Sequence, residues 1–245
     1  MNSVSELLGL VLEVKPLQAH FRIPYNSLLL DSYPFPPRTT AIGLIAGAMG
    51  LPESGYRELL GKLRYGVIIE DPGARVEETA AIRKLTHIQR KDYDKNRGEW
   101  PIYPIKKILF HGPHYRLFFA GDERTIERAY EALLDPVFTP YLGDSESLMY
   151  PAKREYARIV SVEAGKETTL RSLIPAKEWG RGGRFLVMRR NNLTPREYRM
   201  PVGFTYQRTS RRAVYKRIIA FAGGFVEMAN EIDVLLFDGE PVFVF

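Results

Sequence analysis

The stretch SYPFPPRTTAIGLIAGAMGL, residues 32–51, constrains the chain most, because a proline-set approach runs straight into a helix start. Pro34, Pro36 and Pro37 fix φ and push the residues before them toward extended conformations, so no helix can begin ahead of Arg38. Thr39 or Thr40 is the expected N-cap, and Ile42, Ile45, Ala46 and Met49 then recur at spacings of three and four, one apolar helix face that Gly50 ends. Gly43 and Gly47 lie four apart on this helix, and each costs about 1 kcal/mol of propensity against alanine. Such a pair is expected where another backbone passes close. The helix start, with Arg38 and the hydroxyls of Thr39 and Thr40, suits a phosphate; the alternative is a close-packed helix with a solvated arginine.

Around this helix the order of elements is legible. Residues 7–14 (LLGLVLEV) read as a buried first strand, followed by a long connection over 16–38 that carries His20, Phe21, Arg22, Tyr25 and Tyr33. A second short helix at 53–63 and a strand at 65–70 come next. Residues 79–89 and 102–110 then read as the two limbs of a long hairpin, with the polar tip RKDYDKNRGEWP between them. A strand at 115–120, the helix ERTIERAYEALL at 123–134 and a strand at 156–162 complete a βαββαβ series. The expected fold class is therefore α+β: a ferredoxin-like (RRM-like) domain over 1–163, with a hairpin extension near 87–105 and one sheet face open for a partner. A smaller, mostly-β domain is expected over 164–245, with short strands at 185–188 and 203–207. Residues 211–223 read as helix or strand, and a terminal hairpin turns at Asp238-Gly239.

Charge adds a partner class. The net charge of +6 is concentrated: from Arg181 to Arg217 there are 11 Lys/Arg against one acid, Glu197, while the rest of the chain holds 24 basic and 28 acidic side chains. Phe185, Tyr198, Phe204, Tyr206 and Tyr215 are interleaved with these cations, a composition suited to phosphates and bases, or else to solvated strand faces. The absence of cysteine excludes disulfides, thiolate metal sites and a cysteine nucleophile, and four scattered histidines offer little for zinc. No metal or cofactor is expected. With no apolar run of about 18 residues and no signal-peptide pattern, a soluble, cytoplasmic protein without a membrane partner is expected.

The run AHFRIPYNSLLLDSYPFPPRTTAIGLIAGAMGLP and the later YLGDSES together resemble the CRISPR-associated protein 5 family of the RAMP superfamily. That family shares a first strand, an aromatic–arginine loop, a proline-rich approach, a Pro-x-Ser/Thr-Thr-x-x-Gly helix start and a Tyr-Leu-Gly-x-Ser loop. The resemblance covers roughly the first 150 residues. It implies an RNA-binding subunit of a type I CRISPR surveillance complex (Cascade) that carries a hairpin thumb and caps the backbone filament. Such a subunit holds the 5′ handle of the CRISPR RNA and contacts both the repeated backbone subunit and the large subunit. By position, the handle-binding role falls on Arg22, Arg38, Thr39, Thr40, Gly143, Asp144 and Ser145, with Lys106 and Lys107 on the hairpin's return limb as additions.

Two other functions follow from the same residues. Some members of the family are metal-independent endoribonucleases that process precursor CRISPR RNA with a tyrosine, a lysine and a histidine directly after the lysine. Here Lys106-Lys107 is followed by Ile108, and the nearest histidine is His111, so Lys107 and His111 are the alternative catalytic pair and the family's Lys-His dipeptide is absent. A stand-alone RNA-binding protein of the split-βαβ type would carry a Lys/Arg-Gly-aromatic strand signature, and the candidate strands YGVIIE and YRLFFAG lack it.

Overall fold

The computed structural model describes residues 7–26, 29–83, 102–149, 156–188, 193–207 and 210–245. Strand β1 (Leu7–Val14) leads into three two-residue strands, β2 (Gln18–Ala19), β3 (Phe21–Arg22) and β4 (Ser32–Tyr33). Helices α1 (Arg38–Ala48) and α2 (Glu53–Lys62) follow, then β5 (Arg64–Asp71), β6 (Ala74–Arg83), β7 (Ile102–His111) and β8 (His114–Asp122). Helix α3 (Glu123–Leu134) precedes β9 (Ala157–Leu170), β10 (Ile174–Pro175), a helical turn at Ala176–Trp179 and β11 (Arg184–Val187). The chain ends with β12 (Leu193–Gln207), β13 (Ser210–Ala222), β14 (Gly224–Phe237) and β15 (Glu240–Val242).

The result is an α+β structure on one mixed sheet of ten strands, in the order β10-β13-β5-β8-β1-β9-β14-β11, with β12 added to β13 and β15 to β14. At its centre β5, β8, β1 and β9 are antiparallel neighbours. Leu10 and Leu12 of β1 pack on the helix side with Ile42, Ile45, Ile126 and Leu133, whereas Val11 faces the opposite cluster of Ile68, Phe118, Leu235, Phe237 and Val242. Burial on both faces is why this strand reads as a nearly continuous apolar run. It also corrects the expectation of an open sheet face: side chains of β14 and β15 cover it. Strand β9 runs unbroken from 157 to 170, across the position where the sequence suggests a domain boundary. A buried ion network crosses there too. Glu70 binds Arg116 at 2.7 Å and Arg171 at 2.6 Å, and Arg116 also binds Glu240 of β15.

Strands β6 and β7 pair in antiparallel register from Ala74↔His111 to Arg83↔Ile102, and β2 joins them to make a separate three-stranded sheet. The expected hairpin tip, residues 90–101, and the part of the expected first limb over 84–89 lie outside the described residues. One further expectation changes and one open reading is decided. Residues 203–207 form only the end of the 15-residue β12, which also contains Pro195 and Pro201. The strand tolerates both because among the described residues it pairs with β13 alone, and it absorbs an irregularity between Pro201 and Gly203. Residues 210–222 resolve as strand rather than helix.

Helix α1 starts where the prolines dictate, but its N-cap is Pro37 and no side chain caps it, so Thr39 and Thr40 lie inside the first turn. It ends at Gly50, whose φ is 65°. The Gly50 N–H donates to the Gly47 carbonyl and the Leu51 N–H to the Ala46 carbonyl, the paired bonds of a glycine-terminated helix. Helix α3 is capped by Asp122, which accepts from the Thr125 N–H at 3.0 Å and the Thr125 hydroxyl at 2.8 Å.

Candidate nucleic-acid interface

Arg38 turns inward. Its Nε donates to the Phe245 carbonyl at 3.1 Å, its Nη2 to the carbonyls of Leu60 at 2.6 Å and Leu63 at 2.8 Å, and its Nη1 to the Val202 carbonyl. A guanidinium at a helix start suggested a phosphate ligand. Here its donors instead tie α1 to α2, β12 and the last described residue. Thr39 is buried, and its carbonyl accepts from the Tyr56 hydroxyl at 3.0 Å.

Thr40 opens a cleft. Together with Gly43 and Gly47 it forms one wall of a cavity of about 250 Å³, closed on the other side by Phe138, Tyr141 and Gly143. The expectation that another backbone would press on the two glycines is not met among the described residues. A Cβ on Gly47 would touch nothing within 4 Å, and one on Gly43 would meet only Tyr56 at 3.8 Å.

Opposite the helix, the loop after α3 is built around Gly143 and Asp144. Gly143 has φ +98°, and a side chain there would collide with the His20 carbonyl, so the position needs glycine on two counts. The Asp144 carboxylate accepts from the Ser147 hydroxyl at 2.6 Å, and its carbonyl accepts from the Ser147 N–H at 3.0 Å. Ser145 is left exposed at the tip. Lys107 of β7 reaches this loop, with Nζ 2.6 Å from Asp144 Oδ2 and 3.0 Å from Glu146 Oε2. Burial disfavours the charge on both partners of the Lys107–Asp144 pair, but the attraction wins. Lys107 is held above the usual lysine range and Asp144 below the usual aspartate range.

His20 sits beneath the same cluster. Its Nδ1 lies 2.8 Å from the Ile108 carbonyl; a carbonyl only accepts, so Nδ1 carries the proton and Nε2 the lone pair. Burial first, then the nearby charges of Lys107 and Arg22, lower its pKa from the ordinary histidine value and favour the neutral ring, against the opposing pull of that hydrogen bond and of Asp144. Sequence reasoning placed His20 in the long connection but assigned it no role, because only the pairing Ala19↔Phe110 between β2 and β7 brings it to Lys107. His111 is not brought there. Four residues along a strand at about 3.3 Å each separate it from Lys107 by roughly 13 Å, too far for both to act on one phosphate. It lies instead 3.6 Å from Glu78. Lys106 points away from Lys107 and pairs with Glu77 at 2.7 Å. Arg22 is exposed on β3 and has no carboxylate partner among the described residues. No group of three or more His, Asp or Glu side chains gathers to hold a metal ion among the described residues, and no helix there is long and apolar enough to cross a membrane.

Residues 9–220 match the family described as CRISPR-associated protein (Cas_Cas5). The chain belongs to the CRISPR-associated protein 5 family. No curated protein matches the sequence. Among solved structures, a chain of a CRISPR RNA-guided surveillance complex aligns over 90% of this chain and 91% of its own length, at 16% identity and a TM-score of 0.54. A CRISPR protein from Archaeoglobus fulgidus aligns over 97% of this chain and 98% of its own, at 20% identity and a TM-score of 0.51. A third structure, of a Cas protein, aligns over 58% of this chain, which spans 60% of that protein's length, at 18% identity and a TM-score of 0.42. The CRISPR-associated protein 5 match takes in Arg22, Arg38, Thr40, Lys107 and Gly143 and stops within β13, so β14 and β15 lie beyond the matched residues.

Proposed function

We propose that this chain is the RNA-binding subunit of a type I CRISPR surveillance complex, holding the 5′ handle of the CRISPR RNA and capping the backbone filament in the cytoplasm. Its partners are the RNA, the repeated backbone subunit and the large subunit. The central strands β5, β8, β1 and β9, with α1 and α3, are read as the ferredoxin-like domain over 1–163; β6 and β7 are read as the base of the hairpin thumb, and residues 164–245 as the smaller domain.

One observation carries the reading: the cleft that joins Thr40, Gly43 and Gly47 of α1 to the loop at Gly143, with Lys107 and Arg22 on the same side of the molecule. A single strand needs hydroxyl donors for its phosphates, cations nearby and room where side chains are missing; the cleft offers the Thr40 hydroxyl and the space over Gly43 and Gly47, and Lys107 stands at the adjoining loop. Glu146 is the exposed, replaceable half of the carboxylate pair on Lys107, so a phosphate can take its place while Asp144 keeps the lysine aimed.

The test is incubation of the purified chain with labelled CRISPR repeat RNA in the absence of divalent metal, scoring gel shift and cleavage together. A shift without cleavage, weakened about tenfold by Lys107→Ala, is the expected result. No shift overturns the reading, and site-specific cleavage lost in His111→Ala would replace it with the endoribonuclease.

A further inference from the structure

A second groove lies away from the α1 cleft, between the 16–38 connection and β12. Its volume is about 830 Å³, within the range of small-molecule sites, and Tyr25, Asn26, Arg75, Arg196 and Tyr198 line it. The aromatic and cationic side chains are already arranged in alternation. The Arg196 guanidinium lies over the Tyr198 ring at 5.7 Å, and Arg199, outside the lining itself, lies 5.9 Å from the ring of the lining Tyr25 and 5.2 Å from that of Tyr215. Tyr25 is 53% exposed although its neighbours Tyr33 and Phe35 are fully buried.

The two acids that line the groove, Asp31 and Glu197, are already paired. Asp31 accepts from the Ser32 N–H at 2.9 Å and lies 3.7 Å from Arg75, while Glu197 takes two bonds from Arg217 at 2.6 and 2.8 Å. Arg196 and Arg199 have no carboxylate partner among the described residues. A guanidinium near a tyrosine ring and without a carboxylate partner keeps N–H donors for an anion, and an exposed tyrosine offers a surface to a planar base. The Asn26 amide adds polarity: its oxygen accepts from the Leu29 N–H at 3.4 Å, which leaves its NH2 to donate to a base edge.

We infer that this groove binds one nucleotide of single-stranded RNA, the base stacked on Tyr25 and the flanking phosphates held by Arg196 and Arg199. This rests on the RNA-binding reading above and adds to it a contact point built from side chains not assigned there. The basic excess of the Arg181–Arg217 segment thereby becomes a specific surface rather than a general charge.

The experiment compares the purified full chain on two fluorescein-labelled ten-nucleotide RNAs with the same phosphates, one carrying bases and one abasic throughout. The chain is expected to prefer the base-bearing strand about tenfold; Tyr25→Ala removes that preference and Tyr25→Phe keeps it. Arg196→Ala with Arg199→Ala weakens both strands and flattens the salt dependence by about 0.7 per lost phosphate. Photocrosslinking of the unaltered chain to a bromouridine-substituted strand, read by mass spectrometry, is expected to mark the peptide that contains Tyr25. If the chain binds RNA but these variants match it and no crosslink reaches Tyr25, the groove serves another partner, such as a protein segment, and this inference falls while the RNA-binding reading stands. If neither strand binds, both fall.

Discussion

Lys107 Nζ lies 2.6 Å from Asp144 Oδ2, and through this contact β7 fixes the loop that faces the glycine side of α1. The pair is the joint between the three-stranded sheet and the 140–149 loop, so its protonation couples to the shape of the cleft.

The Asp144 carboxyl is held below its ordinary value in the folded chain, so the unfolded chain takes up the proton first as pH falls. The stability gained from the pair is therefore full above the ordinary aspartate range and is lost as pH falls through the lowered native value. Asp144→Asn is expected to cost about 1–3 kcal/mol at neutral pH and to flatten the acid limb of the stability profile. Urea unfolding midpoints at pH 7, 5 and 3 check this; a variant that tracks the parent at all three would contradict it.

Arg38→Lys is expected to lower stability by about 2–4 kcal/mol, because a lysine cannot reach the carbonyls of Leu60, Leu63, Val202 and Phe245 at once and leaves part-buried acceptors unpaired. RNA affinity, corrected for the folded fraction, is expected to stay within about twofold. Paired unfolding and binding titrations separate the two effects; lost affinity at an unchanged midpoint would return Arg38 to the RNA.

Gly47→Ala and Gly143→Ala are expected to move in opposite directions. At Gly47 the backbone is helical and a methyl group meets nothing, so alanine adds about 1 kcal/mol, or some 2–4 °C in melting temperature, while narrowing the cleft and weakening RNA binding. At Gly143 alanine strains a left-handed position and strikes the His20 carbonyl, at a cost of about 2 kcal/mol or more. Calorimetry on the two variants checks both. An equal, small effect at the two positions would mean that the loop is not seated as described.

What the sequence made legible follows the range of the interactions. The start of α1 at Arg38, its end at Gly50 and the Asp238-Gly239 turn depend on residues a few positions apart and can be read locally, although the cap of α1 is Pro37 and not Thr39 or Thr40. The coverage of the second sheet face cannot, because it depends on Phe237 and Val242 packing on Val11 and Phe118, more than 100 positions away. Nor can the full length of β12, since a strand paired on one side among the described residues accommodates Pro195 and Pro201 that a central strand would not. At the site, residue types at a helix start singled out Arg38 and Thr40 alike, yet only the fold decides which side chain turns into the protein. His20 and Arg199 carry no short-range signal, since the Ile108 carbonyl and the rings of Tyr25 and Tyr215 come from other parts of the chain, whereas Arg196 and Tyr198 are two residues apart on β12.

The most direct measurement is sequencing of the RNA that copurifies with the tagged chain when it is expressed beside a CRISPR repeat transcript and the repeated backbone subunit. Enrichment of fragments that begin at the 5′ handle, reduced in Lys107→Ala, is the expected result. Recovery of the backbone subunit without handle-derived RNA, or of RNA with no bias toward the repeat, would contradict the handle-holding role.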